Sequence, residues 1–345
     1  MELNRIIISR VDKIGDVVLT LPLAGYLKNL FPDCYIFFLG KKYTRPVIDS
    51  CVHIDEFIDW DYLQELSSAN RIKALKKLHA DTIIHVFPDS RIAKATWQAG
   101  IPNRIGTSHR TYHWLYVNRK VKLSRRKSDL HEAQLNIELV KLFLNLPHNI
   151  SLSEIPGLYG FTKTAKLNDE IRAHLKPDMY NVILHPKSKG SAREWGLDKY
   201  AELIRELPLE KYNIIVAGTD SEASEMEQLL KVYKNRIIDL TGKLSLSEYI
   251  SLIASSDALI ACSTGPLHIA AATGITAIGI YAPMKPIFPK RWAPLGLNAT
   301  YLVKDGDCNK CKKLDYCECI SNIPASDVIM KLNHSYHQKF CLHGA

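Results

Sequence analysis

Strand-like apolar runs alternate with segments of helical period along most of this chain, and that alternation restricts the fold more than any other feature. Residues 6–8, 35–39 and 81–86 are rich in β-branched and aromatic side chains, and helical spacing covers 16–30, 62–79 and 130–144. Over 145–159 two prolines, Pro147 and Pro156, interrupt the pattern, and this segment is predicted to link two domains. The alternation restarts with strands at 182–185, 213–217, 237–240, 258–261 and 276–281. Helices are predicted at 197–206 and 221–232 and from Ser245 and Pro266. Strands that alternate with helices form parallel sheets covered on both faces. The expected architecture is α/β, with Rossmann-like domains at 1–150 and 160–323 facing each other across a cleft. A C-terminal helix and tail at 324–345 are expected to pack back on the first domain. Open sheets of this kind bind ligands beyond the carboxyl ends of their strands.

With 345 residues the chain is long enough for two such cores. A net charge of +9 and a pI near 9.0 call for an anionic partner: nucleic acid, nucleotide, anionic lipid and phosphorylated sugar all qualify. Only three isoleucines follow the first charged residues, too short a run for a signal peptide, so the chain is expected to stay in the cytoplasm. No Asp, Glu, Lys or Arg occurs over 258–284. Ser263, Thr264, Gly265, Pro266 and His268 break that run, which favours a buried strand–helix–strand over a membrane span.

Three loops at predicted strand ends carry the chemistry. The first, Asp12-Lys13-Ile14-Gly15-Asp16, stands where a phosphate loop would, yet lacks the glycine patterns of nucleotide loops. Asp16 reads either as a helix-start carboxylate favoured by the helix dipole or as a general base for an acceptor hydroxyl. The second runs from His185 through Arg193 and includes Lys187, Ser188, Lys189 and Gly190; it reads as an anion site or as a solvated basic loop. The third is Ser263-Thr264-Gly265-Pro266-Leu267-His268. Thr264 is expected to cap a helix there, Gly265 lets a ligand approach, and the free amides of the turn can receive a pyrophosphate.

Together these loops resemble glycosyltransferase family 9, the heptosyltransferases of lipopolysaccharide core assembly. Residues 14–22 (IGDVVLTLP) match the family's opening turn. His185-Pro186 through Arg193-Glu194-Trp195 match its HPG…KRW loop, and 263–274 its DSGPMHLAAALG helix. IPNRIG at 101–106, His131-Glu132 and LTGKLSL at 240–246 agree as well. The resemblance implies a GT-B fold with an acceptor domain first and a nucleotide-sugar domain second. It implies inverting transfer of heptose from ADP-heptose to a lipopolysaccharide core or related glycan, without a catalytic metal or cofactor. Asp16 is then the catalytic base, Lys187, Ser188 and Arg193 surround the donor phosphates, Glu222 holds the ribose and Leu244 packs on adenine. Thr264, Gly265 and His268 form the phosphate turn. Ser263 stands where the family has Asp toward the donor sugar, which leaves a different donor sugar as an alternative. Arg10, Lys13 and Arg110 are expected to meet an anionic glycolipid or glycan acceptor. Lys41, Lys42, Arg45, Arg91 and the run 119–127 add charge, and peripheral contact with the cytoplasmic face of the inner membrane is expected.

Two rival classes share parts of this pattern. A nucleic-acid-binding protein would share the basic pI, but no recognition motif occurs, so no nucleic-acid partner is expected. A relative that binds a nucleotide sugar or glycan without transferring it would share the loops. Cys34, Cys51 and Cys262 lie in or beside apolar runs and are expected to be buried thiols. Cys308-x2-Cys311-x5-Cys317-x-Cys319 reads as a local structural zinc or iron site, with reduced thiols as the alternative.

Overall fold

The computed structural model describes residues 3–125, 128–146, 150–285, 287–305 and 317–341. The chain divides into two compact units, Met1–Lys163 and Thr164–Ala345. The first holds β1 (Arg5–Ser9), β2 (Tyr35–Gly40), β3 (Glu56–Asp59), β4 (Thr82–His85), β5 (Asn103–Thr107) and β6 (Arg119–Val121). They form one parallel sheet in the order β3-β2-β1-β4-β5-β6. The second unit holds β7 (Tyr180–His185), β8 (Tyr212–Val216), β9 (Ile238–Asp239), β10 (Ala258–Cys262), β11 (Thr276–Tyr281) and β12 (Ala299–Val303). Its parallel sheet runs β12-β11-β10-β7-β8-β9. Counted within its own unit, each sheet has the Rossmann order 3-2-1-4-5-6, with one reversal between the first and fourth strands.

Side-chain alternation explains the layers. Ile7 lies opposite Phe37 and Ile83, and these three enter one apolar cluster with Trp60, Leu75 and Ile92. Ile6 and Ile8, also fully buried, point to the other face. In the second unit Leu184 lies opposite Val216 and Ile260, and all three pack with Trp195, Tyr200 and Leu203. Strands covered on both faces are apolar throughout, which is why the central ones stand out in the sequence.

Several elements differ from expectation. The predicted helix over 16–30 is two helices, Ile14–Val18 and Leu21–Leu30. Pro22 has no N–H to continue the first helix and its ring crowds the preceding turn, so it starts a new one. The segment 62–79 likewise lies in two helices, Trp60–Glu65 and Ser68–Lys77, the second capped by Ser67 accepting from the Asn70 amide. Strands β3, β6 and β12 carry too few buried positions to show an apolar run; β6 reads Arg-Lys-Val with only Val121 buried. The described residues 150–159 of the predicted linker are instead structured within the first unit. Its turn Ile155–Leu158 packs on the helix Leu21–Leu30, and Cys51 Sγ donates to the Tyr159 carbonyl at 3.1 Å. The C-terminal helix Ala325–Cys341, expected on the first domain, packs on the helix Leu197–Glu206. Its Val328 and Leu332 are spent in the second unit's core, and Tyr212 donates to Asn333 at 2.8 Å.

The seam at Gly25 offers a test of this packing. A Cβ on Gly25 would stand 2.2 Å from the Leu158 carbonyl oxygen, a backbone atom with little room to retreat. Gly25→Ala should therefore lower stability by about 1–3 kcal/mol through overpacking, despite the ~1 kcal/mol that alanine gains in a helix. Urea denaturation checks this, and an unchanged or higher midpoint would contradict the described seam.

Candidate functional site

Four of the sequence-predicted positions fall in the first unit. Arg10 leaves the carboxyl end of β1 and is almost fully buried. Its guanidinium donates to Asp12 at 2.7 Å, to Glu132 at 3.1 Å and to Asn136 at 3.4 Å, and it also pairs with Asp16. Arg125 reaches the same Glu132 oxygen at 3.0 Å and Asn136 at 2.7 Å. Asn136 in turn donates to the Leu19 carbonyl at 2.9 Å, which ties the helix Glu132–Leu144 to the carboxyl end of the helix Ile14–Val18 that carries Asp16. Lys13 is exposed at the cap position of the helix Ile14–Val18, and Arg110 is exposed in the turn after β5. The structure thus brings Asp16 and Arg10 together and leaves Lys13 and Arg110 outside the cluster.

The charges around Asp16 do not balance in its favour. Among the described residues two guanidinium groups, those of Arg10 and Arg125, serve three carboxylates, Asp12, Asp16 and Glu132. Burial, with Asp12 and Glu132 adding to it, outweighs Arg10 and pushes the Asp16 carboxyl up to about 6. Arg10 is held above its usual pKa: burial opposes its charge, but Asp12, Asp16 and Glu132 more than compensate. The cluster therefore makes Asp16 an unusually basic carboxylate that keeps 19% of its side-chain surface exposed.

In the second unit both predicted phosphate loops leave the two strands that flank the reversal, β7 and β10. After β7 the loop is organised by Glu194. Its carboxylate accepts from Lys187 Nζ at 2.6 Å, from the Ser188 amide at 2.8 Å and from the Ser188 hydroxyl at 2.9 Å. Lys187 also pairs with Glu225 at 2.8 Å, and although burial opposes its charge, the two carboxylates raise its pKa. Lys187 and Ser188, expected on donor phosphates, are thus engaged by the protein's own carboxylates. Arg193 is half-buried next in sequence to Glu194. His185 stays buried, with Tyr249 Oη 3.0 Å from its Nδ1 and burial pulling its pKa down.

After β10 the helix Gly265–Thr273 begins. Thr264 has the extended backbone of a cap, φ −128° and ψ 167°, but its side chain caps no amide, which corrects the sequence expectation. Its buried Oγ1 has no hydrogen-bond partner among the described residues. No acidic residue occurs in the helix's first turn, so its positive end faces the reversal uncompensated. Ser263 is hydrogen-bonded with the Tyr281 hydroxyl, and His268 is buried one turn into the helix. Glu222 is buried and closes a capping box, accepting from the Thr219 amide and hydroxyl at 2.8 Å each. Leu244 is half-buried just before Ser245, which caps the helix Leu246–Ala254. Cys317 is buried and Cys319 half-buried around the helix Glu318–Ser321, whereas Cys308 and Cys311 lie outside the described residues.

Asn136 was missed from sequence, and Arg125 and Glu194 entered only as members of the basic run 119–127 and of the loop after β7, without their roles. Asn136 follows Glu132 by four residues, so both face the same way on a helix, a signal that was available. Glu194 shows only when paired with Lys187: a cation replaces the family's Gly at one end of the loop and an anion replaces its Arg at the other.

The fold aligns with Escherichia coli ADP-heptose lipopolysaccharide heptosyltransferase II over 98% of this chain and 99% of that one, with a TM-score of 0.76 at 19% identity. A glycosyltransferase family 9 structure from Veillonella parvula aligns with the same values. Two units of Rossmann order with this likeness define a protein of the GT-B class. Residues 69–320 match glycosyltransferase family 9 (heptosyltransferase), and the chain belongs to that family of glycosyltransferases. Among its relatives, a Haemophilus influenzae protein with no more specific name than glycosyltransferase is 28% identical, covering 85% of this chain and 86% of its own length. Lipopolysaccharide heptosyltransferase 2 of Escherichia coli K12 is 22% identical, covering 93% and 95%.

The raised Asp16 pKa has a consequence for stability. A carboxyl that titrates higher in the folded state stabilises that state while protonated and loses the benefit as pH rises from about 4 through about 6. Asp16→Asn, which keeps the shape without the charge, should match or exceed the wild type at pH 7.5, by on the order of 2 kcal/mol. The difference should vanish below about pH 4. Thermal melts across this range measure it, and a strongly destabilised variant at pH 7.5 would show that the Arg10–Asp16 pair outweighs burial.

Proposed function

We propose that this enzyme transfers a heptosyl group from ADP-heptose to a lipopolysaccharide core or related glycan acceptor, with inversion and without a catalytic metal. The observation that carries the reading is the helix Gly265–Thr273. It opens beside the β7/β10 reversal with uncapped first-turn amides and a buried, unpartnered Thr264 hydroxyl. Such an end suits a diphosphate. Escherichia coli heptosyltransferase WaaC, whose structures hold ADP or ADP-2-deoxy-2-fluoro heptose, aligns with this chain at TM-scores of 0.70 and 0.67.

In the proposed reaction the second unit binds the donor. Gly265, Thr264 and His268 meet the diphosphate, Arg193 offsets its charge, Glu222 accepts from ribose hydroxyls and Leu244 packs on adenine. The first unit binds the anionic acceptor through Lys13 and Arg110, with Arg10 orienting Asp16. Asp16 takes the acceptor hydroxyl's proton as its oxygen bonds to the anomeric carbon and the bond to ADP breaks. A single displacement of this kind inverts the anomeric centre. Helix amides and Arg193 stabilise the charge that develops on ADP. Neutral Ser263, turned to Tyr281, supports the alternative of a donor sugar other than heptose.

Transfer is tested by incubating the purified protein with ADP-heptose and a truncated lipopolysaccharide and following the acceptor's mass. Asp16→Ala should lower the rate about a hundredfold or more while the melting shift given by ADP persists. A base must be unprotonated, so kcat/KM should rise with pH through about 6. Full activity of Asp16→Ala would remove it from the chemistry, and absence of any product would remove the heptose assignment.

The cysteine segment is proposed as a structural metal site. An iron-containing glycosyltransferase, TibC of enterotoxigenic Escherichia coli, aligns at a TM-score of 0.56 and 13% identity. Among the described residues no group of His, Cys, Asp and Glu is arranged to hold a metal, and two of the four cysteines lie outside them. Metal analysis of protein purified without chelator should find zinc or iron near one equivalent, lost in Cys308→Ser/Cys311→Ser. Less than about a tenth of an equivalent in the unmodified protein would contradict the site, since a formed thiolate site binds tightly.

A further inference from the structure

Three of the residues proposed to meet the donor stand on different elements of the second unit. Arg193 lies in the loop after β7, Glu222 starts the helix Asp220–Val232 after β8, and Leu244 precedes Ser245, which caps the helix Leu246–Ala254 after β9. Backbone bonds join the strand ends: Ala217 donates to the Leu184 carbonyl at 3.0 Å, and Gly242 to the Gly218 carbonyl at 2.9 Å. A side chain ties the helix Leu246–Ala254 to the same strand ends.

That side chain is Tyr249. Its hydroxyl lies 3.0 Å from Nδ1 of His185, the last residue of β7, and the two rings stack with centroids 5.8 Å apart and planes 26° apart. The imidazole also hydrogen-bonds the Ala217 backbone. That interaction favours the protonated ring, so the imidazole donates and the Ala217 carbonyl accepts. Burial holds His185 below its usual pKa against the pull of Glu222, Ala217 and Glu194, so the ring is neutral and has a single N–H to give. With that N–H spent on Ala217, Nδ1 keeps its lone pair and the Tyr249 hydroxyl donates to it. Burial raises the Tyr249 pKa, with Glu222 adding to it, so the phenol keeps the proton that it donates. One imidazole thus joins the end of β7, the end of β8 and the start of the helix Leu246–Ala254.

Fixed spacing among these elements matters because a nucleoside diphosphate would touch all of them at once. Segments that must be ordered on binding subtract that cost from affinity, and segments already held do not. We infer that Tyr249 is a positioning residue for the donor: acting through His185, it sets the phosphate, ribose and adenine segments relative to one another before the nucleotide arrives. The inference rests on the proposed donor site and does not depend on which sugar the nucleotide carries. A tyrosine that only filled the core would act through its ring, whereas this role needs the hydroxyl.

Tyr249→Phe separates the two, since it keeps the stacked ring and leaves His185 Nδ1 without its donor. Hydrogen–deuterium exchange of the full chain should show the amides of 187–193 and 217–222 exchanging about tenfold faster together, with β10, β11 and the first unit unchanged. Calorimetry should find ADP bound about tenfold more weakly, while pyrophosphate, which reaches neither Glu222 nor Leu244, changes by less than about twofold. An unchanged ADP affinity overturns the inference. So does an equal loss for ADP and pyrophosphate with faster exchange throughout the second unit, because Tyr249 would then only stabilise the core. Unmodified protein that binds no ADP would count against the donor site itself, a result read without the variant.

Discussion

A carboxylate at the amino end ties the reversal of each sheet. Asp81, immediately before β4, accepts from the amides of Asn4 and Arg5 at the start of β1, at 2.8 and 2.7 Å. Asp257, immediately before β10, accepts from the Asn181 amide of β7 at 2.7 Å, and Lys339 of the C-terminal helix closes on its other oxygen at 2.7 Å. In each unit the first and fourth strands are neighbours that no direct connection joins, so their register depends on contacts of this kind. Charged acceptors hold strand-end amides more firmly than neutral ones. With the register set at one end, the loops at the other end part at a fixed place, and the candidate chemistry stands there in both units.

The two reversals use opposite electrostatics. Around Asp16 in the first unit the described carboxylates outnumber the described guanidinium groups, and burial together with Asp12 and Glu132 raises the Asp16 pKa. In the second, the helix Gly265–Thr273 presents a positive end that no acidic residue of its first turn neutralises, while in the adjoining loop Glu194 engages Lys187 and Ser188. A buried polar hydroxyl without a partner costs stability, and Thr264 is such a group. At the open end of an uncapped helix a ligand can supply the missing partner, so the uncapped helix matters more to the functional reading than the count of basic residues in the loop.

Central strands were legible because burial on both faces leaves them few polar positions, mostly at their ends; β1, β7 and β10 are examples. Edge strand β6 was not, since two of its three residues face solvent. Helix continuity failed at Pro22, where the apolar spacing persists through a change of direction. The position of Asp16 could be read from its place after a strand, but its basicity could not, because Glu132 is far away in sequence and is brought to it by their shared partner Arg10. Thr264 takes the cap position that its residue type suggested; that its hydroxyl bonds none of the helix amides is a tertiary fact.

The most direct measurement of the central claim is the structure of the protein with ADP bound. The diphosphate should lie within hydrogen-bonding distance of the amides of Gly265 and Leu267 and of the Thr264 hydroxyl, with adenine toward Leu244. A diphosphate held instead by Lys187 and Ser188 after their release from Glu194, with the helix amides left to water, would contradict the account.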